Sequence, residues 1–135
     1  MRVRLALFLA ALCLGLVPAL SAQDAVKVDS KHYTVVSEND QVRILKVHYG
    51  PHEKSVMHSH PNAVGVFLTD AKGQFTFPDG KKQEFSFKAG QSISTPAGAH
   101  LPENMSDTGM DLIVVELKGK APKAAKPAAK TEKKK

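Results

Sequence analysis

The chain has 135 residues, 19 Lys and Arg against 13 Asp and Glu, one Cys and no Trp, a size that allows a single domain. Its net charge of +6 sits at the two ends, because residues 23–118 hold ten basic and twelve acidic side chains. A nucleic-acid-binding domain needs its positive charge on the folded surface, so a specific nucleic-acid partner is excluded for the body of the protein.

Residues 1–22 open with Arg2 and Arg4, run through the apolar stretch 5–17 and close on the small residues of Pro18-Ala19-Leu20-Ser21-Ala22. A short positive start, about a dozen apolar residues and a small-residue end describe a secretory signal peptide. The apolar run falls short of the ~20 residues a membrane span needs. The expected cleavage follows Ala22, and the expected location is a bacterial periplasm or the outside of the cell. The single Cys13 lies inside this segment. The mature chain then has no thiol nucleophile and no thiolate metal ligand.

The middle of the chain alternates strand-like runs with turn chemistry. Runs fall at 33–37, 42–49, 55–60, 63–69, 74–77, 83–87, 92–95, 99–104 and 111–117. Between them lie Glu38-Asn39-Asp40, Gly50-Pro51, Pro61-Asn62, Pro78-Asp79-Gly80, Ala89-Gly90 and Ser106-Asp107-Thr108-Gly109. Pro-Asp-Gly flanked by Phe75/Phe77 and Phe85/Phe87 is the clearest hairpin, with Thr76 and Ser86 on the opposite face. No run shows a sustained 3.6-residue apolar period. Many short strands with evenly spaced turns predict an all-β sandwich or barrel over residues 23–118.

Residues 119–135 carry seven Lys, one acid, two Pro and no large apolar side chain. Such a segment cannot bury enough apolar area to offset the entropy of ordering it, and a disordered arm is expected. Two uses stand side by side for it: adhesion to an anionic envelope surface, or solubility alone.

Six histidines are present, at 32, 48, 52, 58, 60 and 100. His58-Ser59-His60 lies in a strand-like run, and residues i and i+2 of a strand share a face, so the two rings can reach one metal ion. The alternative for the pair is a set of hydrogen-bonded polar groups lining a cavity. His52 belongs to a turn and His48 to a solvent face, while His32 carries no signal.

The stretch from Gly50 through His58, His60 and Val64 to Ala71, and the stretch Gly90, Pro96, Gly98, His100, Asn104, resemble the paired signature motifs of the cupin superfamily. In the second motif the step from Gly98 to His100 is one residue tighter than the family's usual spacing. The resemblance covers essentially the whole middle domain. It implies a jelly-roll β-barrel in which His58, His60 and His100 converge on a divalent transition metal (Fe, Mn, Ni, Cu or Zn). Asn104 reads equally as a donor orienting a ligand and as a strand-end turn residue, and Val64 and Phe67 are expected to line the cavity. A homodimer joined through strand edges is a further implication.

One position departs from the family. The carboxylate ligand expected four residues after His60 is Val64, which leaves three neutral imidazoles. Glu103 is close in sequence to His100, but strand alternation puts it on the other face. Glu53 is the acid nearest in sequence to the His58–His60 pair. Two functions remain: a metal-dependent enzyme acting on a small molecule, dioxygenase-like or an isomerase, and a non-catalytic metal- or small-ligand-binding module with a sensory role.

Overall fold

The computed structural model describes residues 23–119. The expected signal peptide and the expected arm beyond Gly119 lie outside these residues. A single turn of helix, α1 (Ala25–Val28), comes first, capped by Asp24, whose carboxylate accepts from the Lys27 amide at 3.2 Å. Nine strands follow: β1 (Tyr33–Glu38), β2 (Val42–Tyr49), β3 (His58–His60), β4 (Ala63–Phe67), β5 (Ala71–Thr76), β6 (Lys82–Phe87), β7 (Ser92–Thr95), β8 (Gly98–Asn104) and β9 (Met110–Leu117).

These strands make two sheets, ordered β1-β2-β9-β4-β7 and β3-β8-β5-β6, and every pairing is antiparallel. Most neighbours are not consecutive in the chain, and crossing between two facing sheets is the jelly-roll arrangement. The predicted all-β fold is the observed one.

Turn chemistry sets the strand ends. Asn39 Oδ1 accepts from the amides of Gln41 and Val42 at 2.8 and 2.9 Å, closing the β1–β2 hairpin. Gly80 takes φ 81° in the β5–β6 turn, a conformation a side chain would resist. β5 begins earlier than the sequence predicts because Ala71 to Gly73 pair with β6 despite their small side chains. At Gly73 a Cβ would come within 2.4 Å of Phe85 Cζ and 2.5 Å of the Glu103 carbonyl. The strand predicted over 55–60 pairs only from His58 onward. Ahead of it, Ser55 is tied instead to the Pro102 carbonyl at 2.9 Å. Helix α1 is too short to leave a periodic signal.

Period-two alternation fills the space between the sheets. β2 turns Leu45, Val47 and Tyr49 inward, β4 contributes Ala63 and Phe67, and β9 contributes Met110 and Val114. Phe67 is 2% exposed and stacks on Phe87 at 4.4 Å, a burial worth about 2–3 kcal/mol. The inward rows of β2 and β9 end differently, on Arg43 and Glu116. These two face each other across the ladder.

β3 is an edge strand, with β8 as its only ladder neighbour. On its other side residues 23–24 are laced to it. The Ser59 amide donates to the Gln23 carbonyl at 2.8 Å, and Asp24 bridges to Ser59.

Candidate metal centre

Two strands bring three imidazoles together. His58 of β3 lies directly opposite His100 of β8 in the antiparallel register, and His60 is on the same face two residues on, opposite the bare Gly98. Ring centroids are 4.9 Å apart for His58 and His60, 5.1 Å for His58 and His100, and 5.4 Å for His60 and His100. One nitrogen from each ring lies within 4.8 Å of the others. Bonds of ~2.1 Å to one ion place nitrogens roughly 3–3.5 Å apart, so the rings need to close by at most about 1.5 Å.

Each ring is held from behind. His58 Nδ1 donates to the Val56 carbonyl at 2.8 Å, with Ser55 Oγ 3.2 Å away, and the Ser55 hydroxyl donates to Asp29. That fixes the proton on Nδ1 and leaves Nε2 as a bare lone pair. Nε2 is buried and has no hydrogen-bond partner among the described residues. A buried acceptor left unmatched costs about 1–3 kcal/mol, and a metal ion answers it. His60 Nδ1 donates to Glu116 Oε1 at 2.6 Å. His100 lies flat on Phe75, with centroids 4.8 Å apart and planes 11° apart.

Electrostatics keep two of the rings ready to coordinate. Burial first, then the neighbouring His60, pushes the His58 imidazole down to about 4. Burial, then His58 and His60, pushes His100 down to about 3. Both are neutral near pH 7, the form that ligates a metal. Burial alone would raise Glu116, but the hydrogen bonds from His60 and Arg43 outweigh it and hold the carboxyl below its ordinary value. Arg43 Nε donates to Glu116 Oε2 at 2.5 Å and Arg43 Nη2 donates to Asp24 at 2.5 Å. Three converging imidazoles, one with an orphaned lone pair, fit a borderline divalent ion.

His60 and His100 each border an inner and an outer hollow. The inner one, about 60 Å³, runs into the barrel among Phe67, Phe85, Met110 and Val114. It holds a few water molecules or a short apolar group. The outer one, about 420 Å³, is bordered by Gln83, Ser94 and residues 96–99, and it too reaches His60 and His100. No Lys, Arg, Asp or Glu among the described residues lines either hollow. Tyr33 edges onto His58 with centroids 4.8 Å apart and shares a 2.8 Å hydrogen bond with Tyr49, and burial raises both phenols, so both stay protonated.

Other expected residues fall elsewhere. Phe67 lines the inner hollow, but Val64 does not. The turn at Pro61-Asn62 resets the strand phase, so Ala63, Gly65 and Phe67 point inward while Val64 faces away. The inward place nearest the family's carboxylate is therefore Gly65, which has no side chain. Asn104 touches no histidine. It is fully buried, donating to the carbonyls of Gly50 (2.9 Å) and Thr108 (2.7 Å) and accepting from the Ser106 amide (3.1 Å) and hydroxyl (2.8 Å). Its role is to pin two loops. Glu103 pairs with Lys54 at 3.8 Å, away from His100. Glu53 is held near 2 by Lys31 first, and by the Gly50 amide, and is no ligand.

His48 and His52 are exposed and pair with Asp111 and Asp107. His32, without a signal in the sequence, is buried: it stacks on Tyr49 at 4.3 Å with Nδ1 against both Asp29 oxygens at 2.7 and 2.8 Å. Sequence reasoning also missed Glu116 and Arg43. The signal was there, as single charged residues on the inward phase of β9 and β2.

No protein-family model matches the sequence, and no curated protein matches it significantly. Solved structures do. A cupin domain from Bordetella pertussis Tohama I is 26% identical, with a TM-score of 0.60, over 64% of this chain and 92% of its own. The chain has the cupin fold. The chain also matches a protein with a double-stranded β-helix domain from Klebsiella pneumoniae subsp. pneumoniae MGH 78578, at 19% identity and TM-score 0.54, over 64% of this chain and 76% of that one. A cupin 2 conserved barrel domain protein from Salinispora arenicola CNS-205 aligns at 18% identity and TM-score 0.50, over 65% of this chain and 76% of its own.

Proposed function

We propose that this protein holds one divalent transition-metal ion through His58, His60 and His100 and acts with it on a small organic molecule, as a dioxygenase or an isomerase. The observation that carries this reading is the buried, unpartnered Nε2 of His58, aimed at a point that the other two imidazoles can reach. A bound ion of this kind supplies Lewis-acid chemistry and, for Fe or Mn, access to dioxygen.

The chain's own residues do the rest. The neutral rings of His58 and His100 accept the ion without first losing a proton. Glu116 fixes the His60 ring. The aromatic wall of Phe67, Phe75 and Phe85 keeps water out and accepts a short apolar group. With no cationic side chain lining either hollow, an anionic substrate has only the ion to neutralise it, which favours an uncharged or singly charged molecule. Tyr33 offers a hydroxyl at the cavity wall.

The second reading, a sensory metal- or small-ligand-binding module without turnover, is favoured by the lack of a carboxylate lining the inner or the outer hollow among the described residues. Export through residues 1–22, adhesion to an anionic surface through the Lys-rich end and strand-edge pairing of two copies belong to the same proposal and rest on the sequence.

Elemental analysis of the purified protein beside a His58→Ala/His60→Ala variant tests the metal. Stoichiometric metal lost in the variant supports it, and no metal after any loading ends it. Oxygen uptake with a panel of thiols and diketones then separates turnover from binding.

A further inference from the structure

We infer that Glu116, acting through His60 and not by coordination, gives the metal centre the negative charge that a ligand carboxylate would otherwise bring. The inference rests on the metal reading above. Its basis is a chain of contacts from the rim inward: Asp24 to Arg43, Arg43 to Glu116, Glu116 to His60.

Glu116 is 1% exposed, and an isolated carboxylate at that depth is strongly disfavoured. Both of its oxygens are engaged, Oε1 by His60 at 2.6 Å and Oε2 by Arg43 at 2.5 Å. Since Oε1 meets Nδ1, the opposite ring nitrogen of His60 is the one free for an ion. The carboxylate therefore stays one imidazole away and cannot itself bind the ion His60 would hold. What it can do is set the His60 tautomer, lock the ring and raise its donor strength.

Charge counting gives the same answer. Asp24, Arg43 and Glu116 together carry a net −1. Three neutral imidazoles around a divalent ion leave +2, and the relay reduces this to +1, the value that three imidazoles and one ligand carboxylate give. The site is replaced at short range: Glu116 of β9 sits opposite Ala63 of β4, the residue before the pair Val64 and Gly65, where no carboxylate stands. Position and charge are both supplied from the next strand.

A strut that merely joins β2 to β9 would use the same Arg43–Glu116 pair, so the test must separate the two roles. Glu116→Gln and Arg43→Gln both break the pair, but only the first removes negative charge. Affinities of the wild type and both variants for Co²⁺ and Zn²⁺ are measured by chelator competition, beside the thermal midpoint of each metal-free protein. The expected result is a 10- to 100-fold weaker affinity for Glu116→Gln, with Arg43→Gln at or above the wild type. Equal weakening in both variants, or no change in Glu116→Gln, overturns the inference.

A wild-type measurement stands independently of how the variants fold. Nitrogen NMR of the Zn²⁺-loaded protein should find His60 protonated at Nδ1 and bound through Nε2, and coordination through Nδ1 overturns the inference. A wild type that takes up neither ion ends the metal reading and this inference together. Uptake by the wild type with an indifferent Glu116→Gln ends this inference alone.

Discussion

His58 and His100 are cross-strand partners: the β3–β8 ladder sets them face to face, though 42 residues of chain separate them. Antiparallel pairing with a fixed register holds such a pair to within a few tenths of an ångström, which no loop could do as cheaply. His60 joins them through the two-residue repeat of the same strand.

Replacing His100 with Ala should abolish tight Co²⁺ binding while leaving the fold intact, because that ring is only half-buried and closes the site from one side. Loss of at least 100-fold in affinity, with an unchanged far-ultraviolet circular dichroism spectrum, is the expected outcome of a titration.

Acid should destabilise the metal-free protein. In the unfolded chain the imidazoles take up protons near pH 6.5, whereas in the folded protein His58 waits until about 4 and His100 until about 3. Between these values the unfolded state binds more protons, so stability falls as pH falls. Taken alone, each ring contributes a loss on the order of 3 kcal/mol, and less when the two are coupled. Urea midpoints should drop from pH 7 to pH 4, and a His58→Gln variant should show a flatter curve. Saturating metal should steepen the fall, since protons then compete with the ion.

Phe67→Ala should cost about 3–5 kcal/mol, the usual range for emptying a buried aromatic site. The change removes the stack on Phe87 and enlarges the inner hollow. Urea unfolding measures the loss, and a small apolar probe such as xenon should gain occupancy.

Asn104→Ala should leave metal affinity within a factor of two or so, because its four hydrogen bonds all go to loop atoms. Its expected cost is in stability, about 1–3 kcal/mol for buried partners left unmatched. A large fall in affinity with little change in stability would return Asn104 to the metal centre.

The strands were legible because their turns announce themselves. Pro78-Asp79-Gly80 and Asn39 fix hairpins locally, and Phe75, Phe85 and Phe87 alternate with polar residues on cue. His58 and His60 were legible for the same reason. Val64 misled because counting residues from His60 ignores the phase change at Pro61-Asn62, a matter of backbone geometry and not of spacing. Glu116 was hidden by distance: 56 residues separate it from His60, and only the β4–β9 register brings them together. A lone acid in the inward row Met110, Leu112, Val114, Glu116 was its one trace.

The Gln23 carbonyl and Asp24 grip the histidine-bearing edge strand from the side that has no ladder. Preparing the protein for any of these measurements therefore has a preferred orientation. An affinity handle or fluorescent fusion spliced directly ahead of Gln23 would tug on β3, whereas one attached after Gly119 leaves that grip undisturbed.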